Sequence, residues 1–252
     1  MQIQNVLIMK KFNCILLALL LVFSLASCSD KPIGSEYFPL NEGWSWTYKS
    51  FTDYDDEIES VSKELTITNL GVKKSGKKSF FVRRTSSDID YYHNFDETGL
   101  YREALRTLVE TKPRMDRDKR YVLKLPLEIG TEWREISRPL LLLRIYPYRV
   151  RVGKDAQVPI IYKIESMSET VTVPAGTFEN CIKVAGEGSF KTYTDSVTGE
   201  KEIPMFVEEW YASGIGLVKQ IRRELDGDMI DIFNTPIFIG GNTVLELKSF
   251  KN

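Results

Sequence analysis

The stretch that decides the fold is Ile160-Ile-Tyr-Lys-Ile164, followed by Thr170-Val-Thr-Val173 and Cys181-Ile-Lys-Val184. Apolar and polar residues alternate with a period of two. Ile160, Tyr162 and Ile164 share one face. Val171 and Val173 oppose Thr170 and Thr172, and Ile182 and Val184 oppose Cys181 and Lys183. Successive side chains of a strand point to opposite faces, so this pattern predicts half-buried antiparallel strands. Working outward, Trp44, Trp46 and Tyr48 alternate with Ser45, Thr47 and Lys49. Gly71, Gly76, Gly99, Gly153, Gly199 and Gly227 stand at turn-like places, and Asp226-Gly227 between two apolar runs predicts a hairpin. No long 3.6-residue apolar stripe runs through residues 28–252. The expected fold is mainly β: antiparallel meanders forming an open half-barrel or curved sheet, with few helices.

An internal echo refines this. Pro39-Leu40-Asn41-Glu42-Gly43-Trp44-Ser45-Trp46 fits P-L-x-x-G-x-x-W, and Pro126-Leu127-Glu128-Ile129-Gly130-Thr131-Glu132-Trp133 fits it again. Gly99-Leu100-Tyr101-Arg102 likewise matches Gly216-Leu217-Val218-Lys219. Proline fixes φ, glycine permits the turn and tryptophan anchors the next strand. Two related meanders are expected, with halves 37–123 and 124–252 of one domain and an insertion at 136–156.

The N-terminus carries a targeting signal. Lys10 and Lys11 precede an apolar run from Cys14 to Phe23. Ten helical residues rise about 15 Å, half the thickness of a bilayer core, so the run is too short for a lasting span. Positive charge, a short apolar core and small residues make a secretory signal over 1–27, and Met9 is a plausible alternative start. Leu25-Ala26-Ser27-Cys28 resembles the lipobox of bacterial lipoproteins. That resemblance implies cleavage before Cys28, lipidation of its thiol, and a membrane contact made through lipid at Cys28. Residues 28–36 read as a tether and 37–252 as the domain. Ser29, standing where an aspartate would retain the protein, favours the outer membrane by analogy with lipoprotein sorting.

Val171-Thr-Val-Pro-Ala-Gly-Thr-Phe178, Cys181-Ile-Lys-Val184, Glu209-Trp-Tyr-Ala212 and Gly214-Ile-Gly-Leu-Val-Lys219 resemble a pattern of bacterial envelope lipoproteins. Tyr37-Phe-Pro-Leu40 with Gly43 and Trp46 resembles the start of the same domain. Those proteins are similar to the Lol lipoprotein-carrier architecture, an unclosed β half-barrel often covered by helices. The resemblance supplies no catalytic residues.

Composition narrows the function. Hydrophobic residues make up 42% and charged residues 27% of 252, as in a folded domain. The chain holds 34 basic and 35 acidic side chains, so no nucleic-acid partner is expected. His93, the single histidine, excludes multi-histidine metal sites. Cys181 is the last thiol once Cys14 is removed and Cys28 lipidated, so no internal disulfide can form. Cys181 and His93 are a conceivable nucleophile pair, yet neither sits in a nucleophile motif; a half-buried structural thiol and a solvent-facing histidine are expected. Glu208 and Glu209 face opposite sides of a strand and cannot converge as a carboxylate pair, which leaves Glu209 with a distant acid. Asp53, Asp55, Asp56, Glu57 and Glu59 lack the spacing of a calcium loop and read as a solvated hairpin. Trp44, Trp46, Trp133 and Trp210 fit core packing better than a sugar platform.

Charge is uneven. Residues 102–154 hold 14 basic and 7 acidic side chains. Arg134, Arg138, Arg144, Arg149, Arg151 and Lys154 surround Leu140–Leu143, Tyr146 and Tyr148. Such a stretch suits anionic headgroups or an acidic polymer, or else strands whose arginines pair with acidic flanks. The expectation is a lipid-anchored, non-enzymatic envelope protein without metal or cofactor that binds an apolar ligand or a partner protein. The contrasting reading is an envelope or surface enzyme, or a glycan-binding protein, acting on polysaccharide.

Overall fold

The structure is a computed structural model. It describes residues 34–54, 60–145, 150–152, 156–197, 199–225, 229–230 and 236–252. The signal segment, Cys28, most of the tether, the Asp55–Glu59 run, Tyr146, Tyr148, Arg149, Lys154 and the Asp226-Gly227 turn lie outside the described residues.

After a 3-10 turn at Ser35–Tyr37, the regular structure of the described residues is all β-strand. The strands are β1 (Ser45–Tyr54), β2 (Val61–Ser75), β3 (Lys78–Thr85), β4 (Asp90–Asp96), β5 (Gly99–Arg106), β6 (Arg114–Lys124), β7 (Glu132–Ser137), β8 (Leu143–Arg144), β9 (Val150–Arg151), β10 (Val158–Val173), β11 (Gly176–Asp195), β12 (Gly199–Ala212), β13 (Gly216–Glu224), β14 (Met229–Ile230), β15 (Pro236–Ile239) and β16 (Gly241–Lys251). Twelve form one antiparallel sheet in the order β6-β5-β4-β3-β2-β1-β16-β13-β12-β11-β10-β7. The sheet curls until its edges β6 and β7 approach each other, nearly closing a barrel. It therefore wraps further than the expected half-barrel, and no helix covers its concave side among the described residues. Strands β8, β9, β14 and β15 make a small second sheet. Its Ile237 and Phe238 pack with Leu142 against Ile203 of the large sheet and Leu225 just beyond β13. The 136–156 stretch read as an insertion supplies β8 and β9.

The two P-L-x-x-G-x-x-W segments build the same local structure. Gly43 and Gly130 both take positive φ, 86° and 97°. Gly43 N–H donates to Asn69 O while Asn69 N–H donates to Trp44 O. Gly130 N–H donates to Ile164 O while Ile164 N–H donates to Thr131 O, the same pair of bonds. Trp46 and Trp133 follow, 2% and 5% exposed. Gly99 opens β5 and Gly216 opens β13, again at positive φ. The strand series β1–β6 thus corresponds to β7, β10, β11, β12, β13 and β16. Only one of the two equivalent junctions is zipped: β1 pairs with β16 from Ser45↔Lys251 to Tyr54↔Gly241. Its counterpart, β6 with β7, has no ladder among the described residues.

Apolar faces fill the interior as the alternation requires. Trp46, Tyr48, Val171, Val173, Val218 and Leu247 form one cluster, and Leu123, Trp133, Ile164, Ile182 and Val184 the next. Trp44 and Trp210 are half-buried against the first. Burying a side chain of this size contributes about 1.5–3 kcal/mol. Tyr162 stacks on Trp133 with ring centres 5.7 Å apart. The tyrosine lies over Gly186, where a Cβ would come 2.7 Å from the ring, so only glycine admits it.

Two expectations are corrected. Cys181 is fully buried rather than half-buried, because Asn180 takes a left-handed conformation and the β10–β11 register shifts beside it, turning the thiol into the core. His93 does not face water: it sits inside β4, 5% exposed, between Phe38 and Tyr91.

Candidate functional site: the open seam

The interior is not wholly apolar. The same period-two phase that buries Trp133 on β7 carries Glu135 inward two residues later. Across the gap β6 presents Arg120, whose guanidinium lies 3.5 Å from one Glu135 oxygen. The other oxygen of Glu135, and the indole nitrogen of Trp133, meet no hydrogen-bond partner. The Glu135 side chain is 10% exposed. Burial pushes its carboxyl up to about 7; Arg120 opposes that shift and the neighbouring Glu209 adds to it.

Glu209 lies deeper. Its two oxygens accept from the Tyr211 hydroxyl at 2.7 Å and the Gln220 amide at 2.5 Å. Burial raises its pKa against those bonds and the nearby Arg222. Glu208 faces outward, 3.0 Å from Lys183 and 3.3 Å from Arg223, so the two acids diverge as strand geometry demands. Asp116, also near Glu135, is held by Arg102 through two bonds of 2.7 and 3.0 Å. Glu209 and Asp116 thus have both oxygens engaged, whereas Glu135 keeps one free.

One further charged pair fixes the rim. Glu224, 0% exposed, accepts from the backbone N–H groups of Leu140 and Leu141 at 2.8 Å and Leu142 at 3.2 Å. It also accepts from Arg222 at 2.6 Å. Arg222 in turn donates to the Arg138 carbonyl at 2.6 Å. This clamp holds the chain leaving β7, and with it Arg138. At the other side of the lumen Arg83 donates to Pro39 O and Asn69, and its guanidinium lies 3.3 Å from the Phe38 ring. Burial lowers its pKa to about 9 and, with Arg83 and Arg102 nearby, holds His93 well below its ordinary value.

Between β6 and β7 opens a cavity of about 630 Å³, within the size range of ligand sites. Six basic side chains line it (Arg114, Arg117, Lys119, Arg120, Arg134, Arg138) against Asp116, Asp118 and Glu135. All belong to the basic 102–154 stretch. Several of its cations pair with acids: Arg102 with Asp116, Arg106 with Asp90, Arg114 with Glu110, and Lys119 with Asp96. Arg117, Arg134 and Arg138 form no ion pair among the described residues. The stretch is thus part structure and part open charge. Large side chains fill the interior, and the cavity at its open part is lined mainly by charged groups.

Cys181 and His93 are not brought together. The thiol points at Phe178 O, 3.5 Å away, and burial pushes it up to about 11. Asp53 accepts from Ser60 at 2.6 Å, a loop contact. Glu135 and the Arg222–Glu224 clamp escaped the sequence reading, although Glu135 stands two residues after Trp133 in the same strand phase.

Comparison with known proteins adds the following. A DUF3108-like family model matches residues 155–230, which run from β10 to β14. No curated protein matches the chain. A candidate lipoprotein from Parabacteroides distasonis is 17% identical, covering 85% of this chain and 98% of its own, with a TM-score of 0.34. A candidate exported protein with a YmcC-like fold from Bacteroides fragilis is 16% identical over the same shares, with a TM-score of 0.35.

Proposed function

We propose that this chain is a lipid-anchored, non-enzymatic protein of the bacterial cell envelope, held at the outer membrane through Cys28, that binds a polar ligand or partner in the open seam. The lipobox and its preceding apolar run support the anchor. The observation that supports binding is the gap between β6 and β7. One equivalent junction of the barrel is zipped, while the other keeps, among the described residues, three arginines without an ion pair and a buried carboxyl oxygen without a hydrogen bond. Buried polar groups are nearly always hydrogen-bonded, so such an atom at a cavity marks a place where a ligand completes the bonding. Catalysis has less support: Glu209 and Asp116, the acids that act on Glu135 most closely, are both held by hydrogen bonds rather than poised as a base.

The test is native mass spectrometry of the lipidated protein purified from its own host. A bound mass that disappears in an Arg134→Glu, Arg138→Glu variant supports the reading. Protein without any bound mass, or a mass indifferent to the two charge reversals, refutes the seam as the binding site.

A further inference from the structure

We propose that the ligand of the seam is an anionic saccharide, its carboxylate or phosphate groups held by Arg117, Arg134 and Arg138 and one hydroxyl bonded to the free oxygen of Glu135. The inference rests on the binding role proposed above and names the chemistry of what is bound.

The charge inventory selects an anion. Six cations face three acids around the cavity, and two of those acids, Asp116 and Glu135, already contact arginines. Asp118 is the acid left at the rim, against three unpaired guanidinium groups. A guanidinium presents a planar fork of donors that matches carboxylate and phosphate oxygens, which favours these groups over a simple halide.

An acidic peptide would satisfy the same charges, and strand addition is the usual way a peptide uses a sheet edge. The β6 edge is poorly built for that. Its pairing with β5 shifts register between Leu100/Tyr101 and again between Arg102/Ala104, so the strand is bulged along the cavity. Bulges and a row of charged side chains are the devices that protect an edge from added strands. The counterpart of β6, β16, pairs with β13 without a register shift and closes onto β1. Recognition in the gap therefore falls to side chains rather than to a backbone ladder.

Glu135 selects the hydroxyl. Its unpartnered oxygen lies in the same cavity as the unpaired arginines, so a group that donates to the carboxyl and accepts from a guanidinium completes both sets of bonds. A hydroxyl does both, whereas a peptide N–H can only donate. A ligand carrying both hydroxyls and anionic groups is a sugar acid or a sugar phosphate, free or as part of a polymer.

The experiment is isothermal titration calorimetry of the mature lipidated protein in detergent. The probes are trigalacturonic acid and galacturonic acid, which separate an oligomer from a free sugar acid, and trehalose 6-phosphate. Trehalose and triglutamate serve as the neutral and the peptide controls. At least one anionic sugar is expected to bind ten times more tightly than either control. Its affinity should fall at least tenfold in Arg134→Gln, Arg138→Gln, two exposed positions without ion-pair partners. Glu135→Leu should lose about tenfold, and Glu135→Gln, which keeps a donor and an acceptor, less than threefold. No heat from any anionic sugar overturns the proposal. Equal affinity for triglutamate overturns the saccharide class yet leaves a binding seam. Equal affinity for trehalose overturns the role of charge. A host-derived mass on the native protein alongside silent sugars would separate failure of this inference from failure of the binding role.

Discussion

Replacing Glu135 by glutamine removes one titration from a buried site and should change how stability depends on pH. In the unfolded chain this carboxyl releases its proton near its ordinary value of 4.5; in the folded barrel it does so near 7. Between those values the native state holds more protons than the unfolded state. Wild-type stability therefore carries a component that is full below about pH 4 and is lost as pH rises through 7. A difference of about 2.5 units at about 1.4 kcal/mol each corresponds to about 3 kcal/mol. Glutamine matches the neutral acid in shape and never ionises. Urea unfolding followed by tryptophan fluorescence, run at several pH values from 4 to 8.5, measures both proteins. Glu135→Gln should equal wild type near pH 4 and exceed it by about 3 kcal/mol above pH 8. Groups remote from Glu135 titrate alike in both and cancel in the difference. A difference that stays flat across that range would refute the claim that burial, rather than the Arg120 contact, governs Glu135.

Trp46→Ala and Trp133→Ala should each cost about 3–5 kcal/mol in the same unfolding assay, since both anchor equivalent strand starts in the core; a cost below 1 for either refutes that equivalence. Glu224→Ala strips acceptors from three backbone N–H groups and orphans Arg222, so a loss of about 3–5 kcal/mol is expected, smaller when Arg222→Met accompanies Glu224→Leu. Cys28→Ser should leave the precursor uncleaved and unlabelled by radioactive palmitate, because acyl burial at about 0.8 kcal/mol per CH₂ supplies the anchoring; a processed, membrane-bound mutant would sink the lipobox reading. The Cys181 thiol should react with a disulfide reagent only as fast as the barrel opens, which stopped-flow labelling with and without urea will show.

Strand character was legible because its signal is local: alternation at Ile160–Ile164 or Trp44–Tyr48 follows from the pleat of a single strand. The same holds for the paired turns, where Gly43 and Gly130 take the positive φ that their motif requires, and for the outward turn of Glu208 against Glu209. Three things were decided only in the tertiary structure. Cys181 lies in the core because one left-handed residue, Asn180, rotates the chain there. Arg222, Glu224 and the Leu140–Leu142 backbone are separated by more than 80 residues, and only sheet curvature joins them. The seam itself depends on how far twelve strands curl before β6 meets β7. That is a sum over every twist and bulge around the sheet, and no short stretch of sequence carries it.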